Sequence, residues 1–186
     1  MADSKIAVIL FNLGGPSSLE AVKPFLFNLF NDKAIIKLPQ PFRWLLAKLI
    51  SSRRAEYSKK IYAQMGGRSP IFELTEAQAQ ALEIELNSSP KLQTVNKIYR
   101  TFVSMRYSAP MSDEVATQVK KYAPDQILLL PLYPQFSTTT TASSIKDWHM
   151  AMKKAGIDIP TTTICCYSDD AGFSKAYADL LAEKLV

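Results

Sequence analysis

The stretch from Gln126 to Ser144, QILLLPLYPQFSTTTTASS, changes character at its middle. Gln126 to Leu132 is apolar without polar alternation, which suits a strand buried on both faces. Pro131 lies near its end, Tyr133, Pro134 and Phe136 follow, and then comes a row of small hydroxyls from Ser137 to Thr141. Three further apolar runs read as strands: Ile6–Asn12, a segment within Val95–Met105, and Thr162–Tyr167. Helical spacing fills the intervals. One helix starts at about Lys23 or Pro24, since proline is tolerated in a first turn. Another covers Glu76 to Leu86 behind a Thr75-x-x-Gln78 capping box. Three more cover Asp113–Tyr122, Ser144–Lys154 and Phe173–Leu185. Strand alternating with helix predicts an open, doubly wound, mainly parallel α/β sheet, here one domain spanning residues 1–186. In such sheets ligands sit outside the carboxyl ends of the strands, so those ends are where chemistry is sought.

The 186 residues, 47% apolar and 21% charged, exclude a disordered chain and suffice for one packed core. The start, MADSKIAVIL, is too short an apolar run for a signal peptide. No stretch approaches the roughly 20 apolar residues of a membrane-spanning helix. Cys165 and Cys166 are adjacent and fall in a predicted buried strand. They read as small apolar residues in a reducing compartment, with no disulfide framework. Charge is concentrated: Lys33, Lys37, Arg43, Lys48, Arg53, Arg54, Lys59, Lys60 and Arg68 are opposed between 32 and 68 only by Asp32 and Glu56. Within that segment Phe42, Leu45, Leu46, Leu49 and Ile50 share one helical face. Two readings stand, a helix packed on its own core with solvated lysines, or a basic amphipathic helix lying on an anionic membrane. No recognisable nucleic-acid module accompanies the basic residues.

The first strand ends in FNLGGPSS, whose glycines permit a tight turn and close approach of a ligand. It matches neither a dinucleotide nor a phosphate-loop fingerprint. The second ends in VSMRYSAP. Arg106 is suited to a carboxylate or to an internal ion pair, and Tyr107 offers a ring with a hydroxyl. At the third, Ser137 or a neighbour can cap the next helix. Five hydroxyls in a row exceed what one cap needs, and beside Tyr133 and Phe136 they suit a large flat ligand with polar edges. A helix-to-helix turn, YAQMGGRSP, gathers Tyr62, Arg68 and Ser69. His149, the only histidine, sits in a helix without metal-ligand spacing and reads as a surface residue.

Four motifs, ILFNLGGPSSLEAVKPFLFNLFND, IYAQMGGRSP, SMRYSAP and LPLYPQFSTTTTASS, resemble the ferrochelatase family in order and spacing. The resemblance runs from about Lys5 to the end. It implies two similar Rossmann-like halves of chelatase type, with a porphyrin in the cleft between them. The activity implied is that of a lyase: insertion of Fe2+ into protoporphyrin IX, the last step of haem biosynthesis. Leu13 would face the macrocycle. Arg106 and Tyr107 would be the catalytic residues of this half, Arg106 near a propionate or a polar route for the metal. Tyr62, Arg68 and Ser69 would hold the porphyrin edge, and Tyr133, Ser137, Thr138 and Thr139 would form its wall. Pro39 to Arg54 would be the apolar lip that meets the membrane through Phe42, Trp44, Leu45, Leu46 and Leu49.

The family's metal-handling histidine lies in a Ser-Ala-His-Ser/Gly-Leu-Pro motif, followed later by a glutamate, and neither is found in these residues. The resemblance is therefore to an N-terminal half without metal ligands, inactive alone, whose partners are porphyrin, a C-terminal half and a peripheral membrane surface on the cytoplasmic side. Its exposed wall would favour self-association. No cofactor is assigned, and the iron–sulfur cluster of some members draws its ligands mostly from beyond Val186. A non-catalytic porphyrin- or haem-binding module is the alternative, and a nucleotide-binding Rossmann domain is disfavoured by the missing phosphate fingerprint.

Overall fold

A computed structural model describes residues 4–90 and 97–185. The elements run β1 Ser4–Asn12, α1 Val22–Phe30, α2 Phe42–Gln64, α3 Ile71–Ser88, β2 Lys97–Met105, α4 Ser112–Tyr122, β3 Gln126–Pro131, α5 Thr141–Ala155, β4 Thr161–Thr163 and α6 Ala171–Leu185. The strands form one parallel sheet in the order β2-β1-β3-β4, as the strand–helix alternation predicts. The chain winds outward from β1 in both directions, so the switch point lies between β1 and β3.

β1 is buried on both faces. Ala7, Ile9 and Phe11 point into a core shared with Val115 and Val119 of α4, Ile127 and Leu129 of β3, and Trp148 of α5. Ile6, Val8 and Leu10 point the other way, toward Ala79, Leu82 and Leu86 of α3. On that second face Leu128, Leu130 and Leu132 are only partly covered, and α6 buries no residue at all.

The outer edge of β2 is closed by side chains of α3. Thr101 N–H donates to Glu83 Oε2 at 2.6 Å and the Thr101 hydroxyl to the same oxygen at 2.9 Å. Tyr99 N–H donates to Asn87 Oδ1 at 2.9 Å, and Asn87 Nδ2 returns a bond to Tyr99 O at 2.9 Å. These bonds occupy edge groups that would otherwise template another strand. Glu83→Ala is expected to lower unfolding free energy by about 1–3 kcal/mol, because a charged acceptor with two donors is lost. Urea denaturation measures it, with Glu83→Gln expected between the two.

Several expectations change. Thr75 is not a cap. α3 begins at Ile71, just after Pro70, and the Thr75 hydroxyl donates to Ile71 O at 2.6 Å within the helix while accepting from Asn12 Nδ2 at 3.0 Å. No hydroxyl caps α5 either: Ala142 N–H is taken by the Ser137 carbonyl, and the Ser137 hydroxyl closes the preceding turn on Thr139 N–H. The last strand holds three residues where Thr162–Tyr167 was expected, and both cysteines are exposed, not buried. Its pairing stops for a backbone reason. Ile164 N–H bonds Leu129 O at 2.9 Å, and the next donor in line would be residue 131, a proline without an N–H. Of the predicted second strand, Val95 and Asn96 lie outside the described residues.

α2 divides the basic segment between two faces. It buries Ala47, Ser51 and Ala55, a small-residue stripe at i, i+4, i+8, against α1. The large apolar face points outward instead: Phe42 is 62%, Leu45 55% and Leu49 47% exposed. The packed-on-its-own-core reading does not hold for that face.

Candidate functional site

The carboxyl ends of β1 and β2 are stitched past the ends of the strands. Arg106 N–H bonds Asn12 O at 2.9 Å and Tyr107 N–H bonds Leu13 O at 3.1 Å. The turn after β1 needs its glycines. Gly14 has φ +83°, and a Cβ there would lie 2.3 Å from Ser108 Oγ; one on Gly15 would lie 2.5 Å from Ser69. The close approach expected of these glycines is thus to the chain's own serines, with Gly15 N–H donating to Ser108 Oγ at 3.1 Å.

Beyond this turn three side chains and one backbone N–H converge on Asp32, which follows α1. Its Oδ2 accepts from Arg106 Nη2 at 2.8 Å, from the Tyr107 hydroxyl at 2.8 Å and from the Ser143 hydroxyl. Its Oδ1 accepts from Ala34 N–H at 2.8 Å. Arg106 Nε donates to Ser143 Oγ at 2.9 Å, and Nη1 lies 3.4 Å from Asp147 Oδ1. Asp147 in turn accepts from Ser112 at 2.8 Å. The side chain of Asp32 is 8% exposed. Burial alone would raise its pKa, but the Ser143 hydroxyl, the Ala34 N–H, Arg106 and Tyr107 outweigh burial and hold the carboxyl below its ordinary value. Burial, and then the hydrogen bond to Asp32, push the Tyr107 phenol well above its ordinary value.

The cluster joins the α1–α2 connection, the end of β2 and the start of α5. Around Asp32 the phenol and guanidinium act as donors and the carboxylate is a saturated acceptor, while Asp147 keeps acceptor capacity at the rim. The cluster's chemistry is that of a rigid, charge-compensated floor. Arg106 and Thr138 line a cavity of about 410 Å³ above it, together with Lys33, Arg43, Lys146 and Asp147.

The sequence matches the family described as Ferrochelatase over residues 5–186. The chain belongs to the ferrochelatase family. It is 52% identical over 179 residues to a ferrochelatase of Wolbachia sp. subsp. Drosophila simulans (strain wRi), covering 96% of this chain and 55% of the relative. With a Rickettsia felis ferrochelatase it shares 51% over 181 residues, 97% of this chain and 50% of the relative. With a Pelagibacter ubique ferrochelatase it shares 49% over 181 residues, 97% and 52%. The chain spans about half the length of the curated relatives it matches.

Against this ferrochelatase background, the structure brings some of the expected site residues together and separates others. Leu13 and Tyr62 pack on the cluster of Val22, Phe25, Leu26 and the buried Tyr107. Burial raises the Tyr62 phenol pKa. Tyr133 packs on the opposite core, its hydroxyl 3.4 Å from Ser144 Oγ, with its pKa raised chiefly by burial. Ser137 and Thr139 bond to each other at 2.9 Å, while Thr138 is exposed beside Arg106. Arg68 and Ser69 line a different cavity, of about 720 Å³, on the other side of the glycine turn, and Arg68 pairs with Glu73 at 3.0 Å. His149 is exposed on α5, as its sequence context predicts. Among the described residues no three His, Cys, Asp or Glu side chains converge on a metal position. Asp32, Ser143 and Asp147 are the members the sequence reading passes over. The available signal was thermodynamic: an acid lodged among nine cations invites a partner.

Proposed function

We propose that this chain is one lobe of a ferrochelatase, which forms one wall of a cleft where Fe2+ is inserted into protoporphyrin IX, and that alone it binds porphyrin without turnover. The observation that carries the reading is the family match over residues 5–186 combined with the strand-end arrangement: Leu13, Tyr62 and Tyr107 in one cluster, and Thr138 above the pinned Arg106. Metal insertion removes two pyrrole protons and strips water from the metal. Arg106, Tyr107 and Ser143 donate and Asp32 is saturated, which leaves Asp147, paired with Arg106, as the cluster's one carboxylate with spare capacity; on this reading the wall binds and orients, and the proton acceptors come from a second lobe. Support for that partner lies in the uncovered surfaces. Tyr177, Leu180 and Leu181 of α6 are exposed, and the leucines of β3 lack full cover. Left open, the same surfaces favour self-association.

Protoporphyrin fluorescence tests the wall. Titrating the chain is expected to give saturable binding, weaker in Tyr133→Ala; a linear, variant-insensitive response would remove the assignment. A second reading, a porphyrin- or haem-binding module without catalysis, uses the same wall and differs in that no second lobe would bring turnover.

We also infer peripheral membrane contact through the α2 lip, on the cytoplasmic side. No helix among the described residues is long and apolar enough to cross a membrane. The exposed Phe42, Trp44, Leu45 and Leu49, with Lys48 4.9 Å above the Trp44 ring, fit an interfacial helix. The triple variant Phe42→Ser/Leu45→Ser/Leu49→Ser is expected to bind anionic vesicles about tenfold or more weakly. Equal cosedimentation of both proteins would sink the lip reading.

A further inference from the structure

Away from the strand ends that form the porphyrin wall, the amino half of the sheet gathers cations that no carboxylate pairs. Lys5 of β1, Arg100 of β2 and Lys121 of α4 line one cavity of about 470 Å³ together with Phe102, Gln118 and Tyr122. Among the described residues none of the three cations joins an ion pair. Aromatic faces hold two of them instead. Arg100 Cζ lies 5.5 Å from the centroid of the Phe102 ring and 5.4 Å from that of Tyr122, and Lys5 Nζ lies 5.6 Å from the Tyr122 ring. The rings are a fixed platform: their centroids are 5.8 Å apart at 56°, and Phe102 is buried in the core beside β1. Two acids stand near Tyr122, and both are committed elsewhere. Asp125 Oδ2 accepts from Lys5 N–H at 2.7 Å, and Glu83 Oε2 accepts from Thr101 N–H at 2.6 Å and from the Thr101 hydroxyl at 2.9 Å. Neither carboxylate lines the cavity.

We propose that this cavity binds a small multivalent oxyanion of the phosphate class, with Arg100 as its two-point receptor and Lys5 and Lys121 as flanking charges. A ring face attracts the positive charge of a guanidinium but takes up none of its N–H groups as a carboxylate would. The fork of Arg100 is therefore positioned and still unspent, and its planar geometry matches two oxygens of one phosphate group. Holding the guanidinium over two rings lowers the freedom it loses when an anion arrives. The ammonium groups of Lys5 and Lys121 reward a second negative charge, which favours a dianion over a single carboxylate. The cations come from three separate elements, so the site exists only in the folded sheet. It does not depend on the porphyrin reading.

Titration calorimetry of the 186-residue chain with inorganic pyrophosphate, at ionic strength held constant with chloride, tests it. Saturable binding of one anion per chain is expected, weakening as salt is raised. Arg100→Lys keeps the charge and loses the fork; it is expected to weaken binding about tenfold, the value of one charge-assisted hydrogen bond. Lys5→Gln/Lys121→Gln is expected to do at least as much. Lys23→Gln/Lys60→Gln removes the same charge at positions outside the cavity and should leave affinity within about twofold. Circular dichroism melting checks that each variant is folded. A second readout needs no variant affinity: the Arg100 Nε–Hε NMR signal of the parent, assigned by its absence in Arg100→Lys, should shift along the calorimetric isotherm. A linear response to pyrophosphate, an Arg100 signal that stays still, or an equal loss in the Lys23/Lys60 control would overturn the proposal and leave the cations as a solvated surface.

Discussion

Asp32→Ala is expected to lower unfolding free energy by about 3–5 kcal/mol, the usual cost of stripping one partner from a buried ion pair. The loss has identifiable parts. Arg106 keeps its bond to Ser143 Oγ but only the longer ion-pair contact to Asp147 at 3.4 Å, and the Tyr107 and Ser143 hydroxyls lose their shared acceptor. Asp32→Asn keeps the shape and an acceptor but not the charge, and should fall between. The pH dependence has a definite sign. The folded carboxyl titrates below its unfolded value, so its stabilisation is complete above about pH 4 and is lost as pH falls through the folded pKa. Chemical denaturation from pH 7 down to pH 3 should therefore show the parent approaching Asp32→Asn. A constant gap between the two would mean that the carboxylate charge is not what holds the cluster.

Gly14→Ala should cost about 2–4 kcal/mol, from a left-handed backbone and an overpacked contact together. The new methyl would lie 2.3 Å from Ser108 Oγ and 3.2 Å from Met105 Cβ at φ +83°. The two causes separate. Gly14→Ala/Ser108→Ala removes the hydroxyl clash and should recover part of the loss, leaving the backbone strain. The turn positions Leu13 and, through Tyr107 N–H on Leu13 O, the end of β2. Porphyrin affinity should fall along with stability. Full recovery in the double variant would place the whole effect in the clash.

The alternation of strand and helix was legible because each strand is a local apolar run and each helix a local period. Gln126–Leu132 and Ile6–Asn12 carry their burial in their own composition. What failed depended on distant partners. Thr75 looked like a cap, yet its hydroxyl is engaged by Ile71 O and by Asn12, 63 residues away. The last strand looked longer because Thr, Ile and Tyr favour strands, but its length is limited by Pro131 on its neighbour. Asp32 was read as a stray counter-charge, since Arg106 and Ser143 lie 74 and 111 residues downstream and no local pattern joins them. The excess of hydroxyls beside aromatics at the end of β3 was legible. That one row of hydroxyls divides its work, Ser137 and Thr139 closing a turn while Thr138 faces the cavity, was not.

The most direct test is anaerobic haem formation from Fe2+ and protoporphyrin IX, followed by absorbance, with the chain alone and with the complementary half of the Rickettsia felis relative supplied in trans. The chain alone is expected to perturb the porphyrin spectrum without forming haem, and the mixture to form it. Haem made by the chain alone would contradict the account and point to a proton acceptor among these residues, with His149 the first to replace.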